Sequence, residues 1–304
     1  MRLYMPLHSG PHCAGCSEYV PPSALRKTCS VVWPWDHNKL SPEQTLAHLL
    51  ALGVDEVCIR APVYFAPLQP KHLAPVAQAF HDALVALCMS ADIDISLWPV
   101  ISLYNPELQA DRIAEYAEHY DPEGIFLDAE RHWVLDYIAN LPRFLDRLAT
   151  HKAAGRIKCP VGLASYRRAS GWPTMHWQVW LKHQLAGLYT IDFLAHQLYP
   201  IGWNLPDQYA YQTRLDVQSH EEEVRKSGRL PMDWFPFLPA FAESGWTAQG
   251  AGVQRQVEQL QAMVGERLRG ANAWSLDQDM ILKGPTVNPA LQSVYTYLQG
   301  ALYA

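Results

Sequence analysis

Two acidic residues at the end of one short apolar run are the strongest chemical signal in the sequence. Asp128 and Glu130 close the run 123–130 (EGIFLDAE). Residues two apart in a β-strand point to the same face, so both carboxyl groups would stand together. Two acids in one apolar setting do not ionise equally, which separates a proton donor from a charged stabiliser. The spacing predicts an acid-catalytic pair; the alternative is a strand end whose acids cap the next helix or pair with Arg131.

The surrounding pattern predicts the scaffold that positions this pair. Apolar strand-like runs alternate with longer helical patterns along the chain. The predicted strands are 28–33, 55–60, 93–100, 124–128, 159–165, 191–197, 234–241 and 271–277, and the predicted helices are 42–52, 71–89, 106–120, 133–149, 207–226, 254–268 and 289–302. This alternation predicts an α/β fold, a single (β/α)8 barrel of the TIM type. We expect an N-terminal extension over residues 1–27 and the barrel domain over residues 28–304.

Aromatic residues are expected to surround the acids. The carboxyl ends of barrel strands form the rim on which active sites are built, and the loops 61–70 and 199–206 are long there. Flat rings stack on the C–H faces of sugars, while carboxylates and amides bind hydroxyl groups. Acids ringed by Trp and Tyr therefore favour a carbohydrate ligand. For any single ring, packing at a barrel end is the alternative.

Three segments resemble the family 18 glycoside hydrolases, the chitinase-like TIM barrels. Residues 123–130 resemble the D-G-x-D-x-D-x-E motif of the fourth strand, residues 197–200 (QLYP) the M-x-Y-D of the sixth, and residues 270–277 (GANAWSLD) the eighth-strand segment that carries a pocket-floor Trp. A second resemblance, to the family 25 lysozyme-type barrels, rests on the D-x-E and on residues 55–61. Both families cleave glycans that contain N-acetylated amino sugars.

The sequence departs from the family 18 pattern at four positions. Glu123 and Phe126 stand where the pattern has Asp, Pro200 replaces the Asp after the sixth-strand Tyr, and Gln197 replaces Met. These departures predict a remote relative.

The resemblance implies a role for each matching residue. Glu130 would protonate the glycosidic oxygen, and Asp128 would orient and stabilise the substrate's 2-acetamido group as it attacks the anomeric carbon. Tyr199 would hydrogen-bond the acetamido oxygen, and Trp274 would lie beneath the sugar. The full predicted substrate-binding set is Trp33, Trp35, Trp98, Tyr166, Gln197, Trp203, Trp274 and Asp277.

Composition excludes several other classes of function. A formal net charge of −6 offers no broad cationic surface, so nucleic acid is not an expected partner. No apolar window of about 20 residues predicts a membrane span. No phosphate loop and no His-Glu-x-x-His occurs, so neither a cofactor nor a catalytic metal is expected. Cys13 and Cys16, with Cys29 as a third thiol, leave two alternatives, ordinary thiols or a structural metal site.

Three functions from different classes remain open on the sequence. The first is a glycoside hydrolase that acts on peptidoglycan or a chitin-like glycan. The second is an inactive glycan-binding or structural barrel in a larger, phage-like assembly, and the third is a different barrel hydrolase. Residues 1–10 lack the apolar core of a signal peptide, so we expect a chain that is cytoplasmic as synthesised. Delivery to a cell wall would then need lysis or an injection device.

Overall fold

The strands and helices follow one another as the alternating pattern predicts. The computed structural model describes residues 27–32, 40–59, 75–130, 135–165, 168–171, 175–200, 205–239 and 250–274. The strands are β1 (Lys27–Val32), β2 (Glu56–Ile59), β3 (Asp94–Leu97), β4 (Gly124–Asp128), β5 (Val161–Ala164), β6 (Gln184–Leu185), β7 (Leu188–Tyr189), β8 (Phe193–Leu194), β9 (Asp233–Trp234), β10 (Phe237–Pro239) and β11 (Gly270–Trp274). The helices are α1 (Pro42–Leu52), α2 (Pro75–Ser90), α3 (Pro106–Tyr120), α4 (Leu141–Ala153), α5 (Trp177–Lys182), α6 (Pro206–Ser227) and α7 (Gly250–Val264).

The main sheet is parallel throughout and its pairings run in a ring. Its strand order is β10-β11-β1-β2-β3-β4-β5-β8-β9. The two terminal strands, β9 and β10, are successive parts of one segment, residues 233–239. On one side of that segment, β9 pairs with β8 and Phe237 forms a bridge with Gln197. On the other side, β10 pairs with β11 and Trp234 forms a bridge with Leu268. The predicted α/β fold with a parallel sheet is therefore confirmed.

Buried side chains separate into two layers because strand residues alternate between two faces. In β4, Ile125 and Leu127 belong to the larger cluster that packs between the strands and the helices. Phe126, between them, belongs to a second cluster, here called the interior cluster, enclosed by the ring of strands. The interior cluster comprises Cys58, Trp98, Phe126, Ala164, Phe193, Ala195 and Phe237, with Tyr199 and Phe235 packed against it. Side chains thus fill the barrel, which is a packed core and not a pore.

Gly162 on the inner face of β5 makes room for one of these rings. A Cβ atom at this position would overlap the ring of Phe193. We expect Gly162→Ala to lower the free energy of unfolding by about 1–3 kcal/mol, since overpacking a filled core forces rings off their rotamers. Urea unfolding of the purified variant measures this loss.

A matched substitution and a rescue test this explanation. Gly171→Ala is the control, because a Cβ there meets nothing within 4 Å. Gly162→Ala combined with Phe193→Leu should recover part of the lost stability. Equal stability of Gly162→Ala and wild type would contradict the packing argument.

Local sequence signals fix several helix ends. α1 begins after Ser41, whose hydroxyl accepts a hydrogen bond from the Gln44 backbone N–H (3.2 Å) while the Gln44 side chain accepts one from the Ser41 N–H (2.9 Å). Pro42 occupies the first turn, where its missing donor costs nothing. Gly53 ends the helix with φ 65°, a left-handed conformation that glycine adopts readily.

Three expected features differ from the structure. The single helix predicted over 133–149 is a 3-10 segment, Leu135–Asn140, followed by α4, because Pro142 favours a new helix start over continuation. The helix predicted over 254–268 is α7, which stops before Gly265 at φ 57°. No element was predicted between 166 and 190, where the chain forms α5 and the antiparallel β6–β7 hairpin.

Some predictions lie outside the described residues. Residues 1–26 and the predicted helix 289–302 fall there, so the domain boundary near residue 27 stays a prediction. Among the described residues, no helix combines the length and the apolar character that crossing a membrane requires.

Candidate active site

The carboxyl end of β4 is held by hydrogen bonds from both neighbouring strands. The Asp128 N–H donates to the Pro99 carbonyl (2.9 Å), and the Ile101 N–H donates to the Asp128 carbonyl (2.8 Å). On the other side the Ala129 N–H donates to the Ala164 carbonyl (2.8 Å). The backbone that carries the first acid is therefore fixed between β3 and β5.

The two predicted catalytic acids meet at one side chain. The Gln197 Nε2 lies 2.8 Å from Oε1 of Glu130 and 3.3 Å from Oδ1 of Asp128. The backbone of Gln197 is itself fixed, since its N–H donates to the Ser165 carbonyl (2.8 Å). The structure thus brings the acids and Gln197 together at the carboxyl ends of β4, β5 and β8.

The two acids differ in their access to solvent. Asp128 is 3% exposed, whereas Glu130 is only partly buried. Below Asp128 on the same face of β4 lies Phe126, whose ring contacts those of Phe193 and Phe237 at centroid distances of 5.1 and 5.7 Å. The pair therefore stands on an aromatic floor, with Glu130 on the more open side.

Two predicted site residues lie at or below this floor. Trp98 is 2% exposed and its ring centroid lies 6.2 Å from that of Phe237. This burial favours packing at the barrel end, the alternative given above for any single ring, and sugar binding by Trp98 stays a prediction. Tyr199 is partly buried, packs against the interior cluster and lies two residues beyond Gln197.

Other predicted site residues lie outside the described part of the chain. These are Trp33, Trp35, Tyr166, Trp203 and Asp277, and for Trp274 the structure describes only a backbone position at the end of β11. Their roles stay predictions, as does the nature of the site at Cys13 and Cys16.

Two polar contacts made by β5 and the loop that follows it were not predicted. The Ser165 hydroxyl donates to the Ala129 carbonyl (2.5 Å) and so ties β5 to the segment between the two acids. Arg168, in the loop that follows β5, pairs at 3.1 Å with Asp216, which is fully buried on α6 and also accepts a hydrogen bond from Gln212. Ser165 could have been found from the sequence, since it is a polar residue directly after an apolar strand. Asp216 could not, because it is one of many charged residues of α6 and its burial leaves no local pattern.

Behind Gln197, on the outer side of the strand, lies a pair of histidines. The rings of His196 and His220 stack with centroids 3.5 Å apart, between Trp177 and Trp234. Burial, and secondly the neighbouring His220, lower the pKa of His196 well below 6.5. These rings face the outer core and not the acids.

The described residues contain no group of three or more His, Cys, Asp or Glu side chains that could hold a metal ion. The described side chains of the site supply two carboxyl groups, one carboxamide and a phenol.

Comparison of sequences gives no assignment, because no family model and no curated protein matches this chain. Comparison of structures does. A group IV chitinase of Ostrinia furnacalis superposes with a TM-score of 0.56 at 12% identity, over 90% of this chain and 99% of its own. A fungal endo-beta-N-acetylglucosaminidase of glycosyl hydrolase family 18 gives 0.56 at 14%, over 91% and 99%. The active domain 2 of a thermostable chitinase from Pyrococcus furiosus gives 0.59 at 12%, over 91% and 95%.

The chain has the fold of family 18 glycosyl hydrolases. The resemblance that was predicted from residues 123–130, 197–200 and 270–277 is thereby confirmed at the level of the fold. At identities of 10–14% the superpositions do not transfer an activity. The likeness to family 25 stays a prediction.

Proposed function

We propose that this protein is a glycoside hydrolase that cleaves a glycan containing N-acetylhexosamine, either peptidoglycan or a chitin-like polymer. The observation that carries this proposal is the meeting of Asp128 and Glu130 at the Gln197 amide, at the carboxyl ends of the barrel strands. Active sites of this architecture lie at that face. The shared fold adds support, because the Pyrococcus furiosus chitinase domain was solved with chito-oligosaccharides bound.

The different exposure of the two acids suits different roles. Glu130, on the more open side, protonates the glycosidic oxygen as the bond from that oxygen to the anomeric carbon breaks. The substrate's own acetamido oxygen forms the new bond to the anomeric carbon, which makes a protein nucleophile unnecessary. Water then opens the cyclic intermediate, with ionised Glu130 accepting its proton.

Asp128 and Tyr199 act on the acetamido group. The Asp128 carboxylate, nearly buried above an aromatic floor, accepts the acetamido N–H and stabilises the positive charge that develops on the group. The Tyr199 hydroxyl donates to the acetamido oxygen and turns it toward the anomeric carbon. Trp274 lies beneath the sugar, and the predicted rim aromatics bind neighbouring units.

Hydrolysis of defined polymers tests the proposal. The full chain is incubated with chitin oligomers, with purified peptidoglycan and with fully deacetylated chitosan, and new reducing ends are measured. We expect release from one of the acetylated substrates and none from chitosan, which lacks the assisting acetamido group. Equal cleavage of chitosan would contradict the acetamido-assisted mechanism.

One observation favours a second candidate, an inactive glycan-binding or structural barrel in a larger assembly. Phe126 stands where the family 18 motif has an acid, and its ring is locked into the interior cluster. The same assay separates the two candidates, since a chain that binds the polymer in a pull-down and releases no reducing ends fits the second. Activity that a chelator abolishes and added metal restores would instead indicate a different barrel hydrolase.

A further inference from the structure

Gln197 contacts both acids with a single nitrogen atom. A primary carboxamide nitrogen carries two hydrogens, so it can donate one hydrogen bond to each carboxylate. The contact to Glu130 is the shorter, at 2.8 Å against 3.3 Å for Asp128. One side chain from the segment that follows β8 therefore connects two residues at the carboxyl end of β4.

The backbone on both sides of Gln197 is fixed by the barrel itself. The Gln197 N–H donates to Ser165 (2.8 Å), and the next N–H, that of Leu198, donates to the Phe237 carbonyl (2.9 Å). The Phe237 N–H in turn donates to the His196 carbonyl (3.0 Å). With its backbone paired to strands on either side, the side chain of Gln197 reaches the acids from a rigid base.

The acids are tied to the same frame. The Ser165 hydroxyl binds the carbonyl of Ala129, the residue between the two acids, while the Ser165 carbonyl accepts the Gln197 N–H. The residue below Asp128 on the inner face is Phe126, a ring without hydrogen-bonding groups. Phe126 therefore cannot donate to Asp128, whereas the Gln197 amide does.

We propose that Gln197 is a positioning residue that holds the carboxyl groups of Asp128 and Glu130 in one relative orientation. This role rests on the proposed function and goes beyond the substrate contact that the sequence predicts for Gln197. A catalytic acid displaced by about 1 Å can lose about 100-fold in rate, while substrate binding by the rest of the cleft is retained. A positioning role and a binding role therefore affect different kinetic constants.

The test replaces Gln197 by residues of similar length that lack the two donors. Gln197→Met keeps an unbranched side chain, and Gln197→Glu keeps the shape and serves if the Met variant does not fold. We expect kcat to fall about 10- to 100-fold with KM within about twofold of wild type. A raised KM at unchanged kcat would overturn the proposal, because it marks Gln197 as a substrate contact alone.

A matched control separates loss of position from loss of stability. Gln178 also donates from Nε2 to a carboxylate, that of Glu223 at 2.9 Å, but it lies on α5 and Glu223 on α6, outside the strand ring. We expect Gln178→Met to leave kcat and KM at wild-type values. An equal fall of kcat in Gln178→Met would attribute the loss to general destabilisation and overturn the proposal.

A crystallographic measurement keeps the test independent of the proposed reaction. Crystal structures of wild type and Gln197→Met, or Gln197→Glu, at one pH compare the positions of the two carboxyl groups. Displacement of either group beyond coordinate error supports the positioning role, and unchanged positions overturn it. If wild type hydrolyses none of the polymers, the proposed function fails, and these structures still decide whether Gln197 positions the pair.

Discussion

Replacing Glu130 by glutamine is expected to lower kcat for glycan hydrolysis about 10²- to 10⁴-fold, the usual contribution of a general acid. Glutamine keeps the length and shape of the side chain but has no proton to give to the leaving oxygen. Binding of the polymer should be retained, since the amide can still accept and donate hydrogen bonds. Release of reducing ends under saturating substrate measures kcat, and a polymer pull-down measures binding.

Glu123→Gln is the matched control for this substitution. Glu123 directly precedes β4, at the end opposite to the acids, and is exposed. The same chemical change should therefore leave kcat unaltered there. Retention of more than about a tenth of the wild-type kcat by Glu130→Gln would remove Glu130 from the role of general acid.

Acidification is expected to destabilise the fold through buried histidines. Burial lowers the pKa of His81 to about 4, partly offset by nearby Asp82, and the pKa of His196 also lies well below 6.5. In the unfolded chain both rings take up protons near pH 6.5, whereas in the folded chain they stay neutral to a lower pH. The contribution of these neutral rings to the free energy of unfolding is therefore complete above pH 6.5 and is lost as the pH falls toward 4. For His81 the shift to about 4 should cost about 2–3 kcal/mol between pH 7.5 and pH 4.5, and His196 should add a loss of the same sign.

Substitution of His81 isolates the part of the acid-induced loss in the free energy of unfolding that this ring causes. Neither nitrogen of His81 has a hydrogen-bond partner in the described part of the chain, so His81→Leu removes the titrating group without breaking a bond. Urea unfolding at both pH values should show that His81→Leu loses about 2–3 kcal/mol less on acidification than wild type. His176→Asn, a change at an exposed ring that keeps His81 and His196, is the control. Equal losses for wild type and His81→Leu would contradict this explanation.

The bounds of several strands and helices could be read from the sequence because local patterns mark where these elements begin and end. The predicted strand 124–128 matches β4 residue for residue, and the predicted helices 42–52 and 106–120 match α1 and α3. In each case a local signal, such as the proline at the first helical turn or an unbroken apolar run, sets the element independently of distant contacts. The α5 helix and the β6–β7 hairpin lack such signals, since they are short and depend on packing.

The placement of aromatic rings was beyond the sequence. Trp98 and Phe126 are aromatic residues, and their type does not tell a ring at the rim from a ring in the interior. Both lie in the interior cluster because of how the parallel strands are arranged. The small residues Gly162 and Ala164 on β5 leave the space that the ring of Phe193 occupies. This fit between small residues and a ring involves positions about 30 residues apart, so no local sequence pattern predicts it.

The sequence alone determined which residues are the candidates for the chemistry. The spacing of Asp128 and Glu130 puts both carboxyl groups on one strand face, and the strand–helix alternation puts this face at the end of a barrel. Only the tertiary structure decided what holds them there. Gln197 lies 67 positions from Glu130 along the chain and reaches it because β8 follows β5 in the ring of strands. Hydrogen bonds between side chains on different strands depend on strand order and register, which the whole chain settles together.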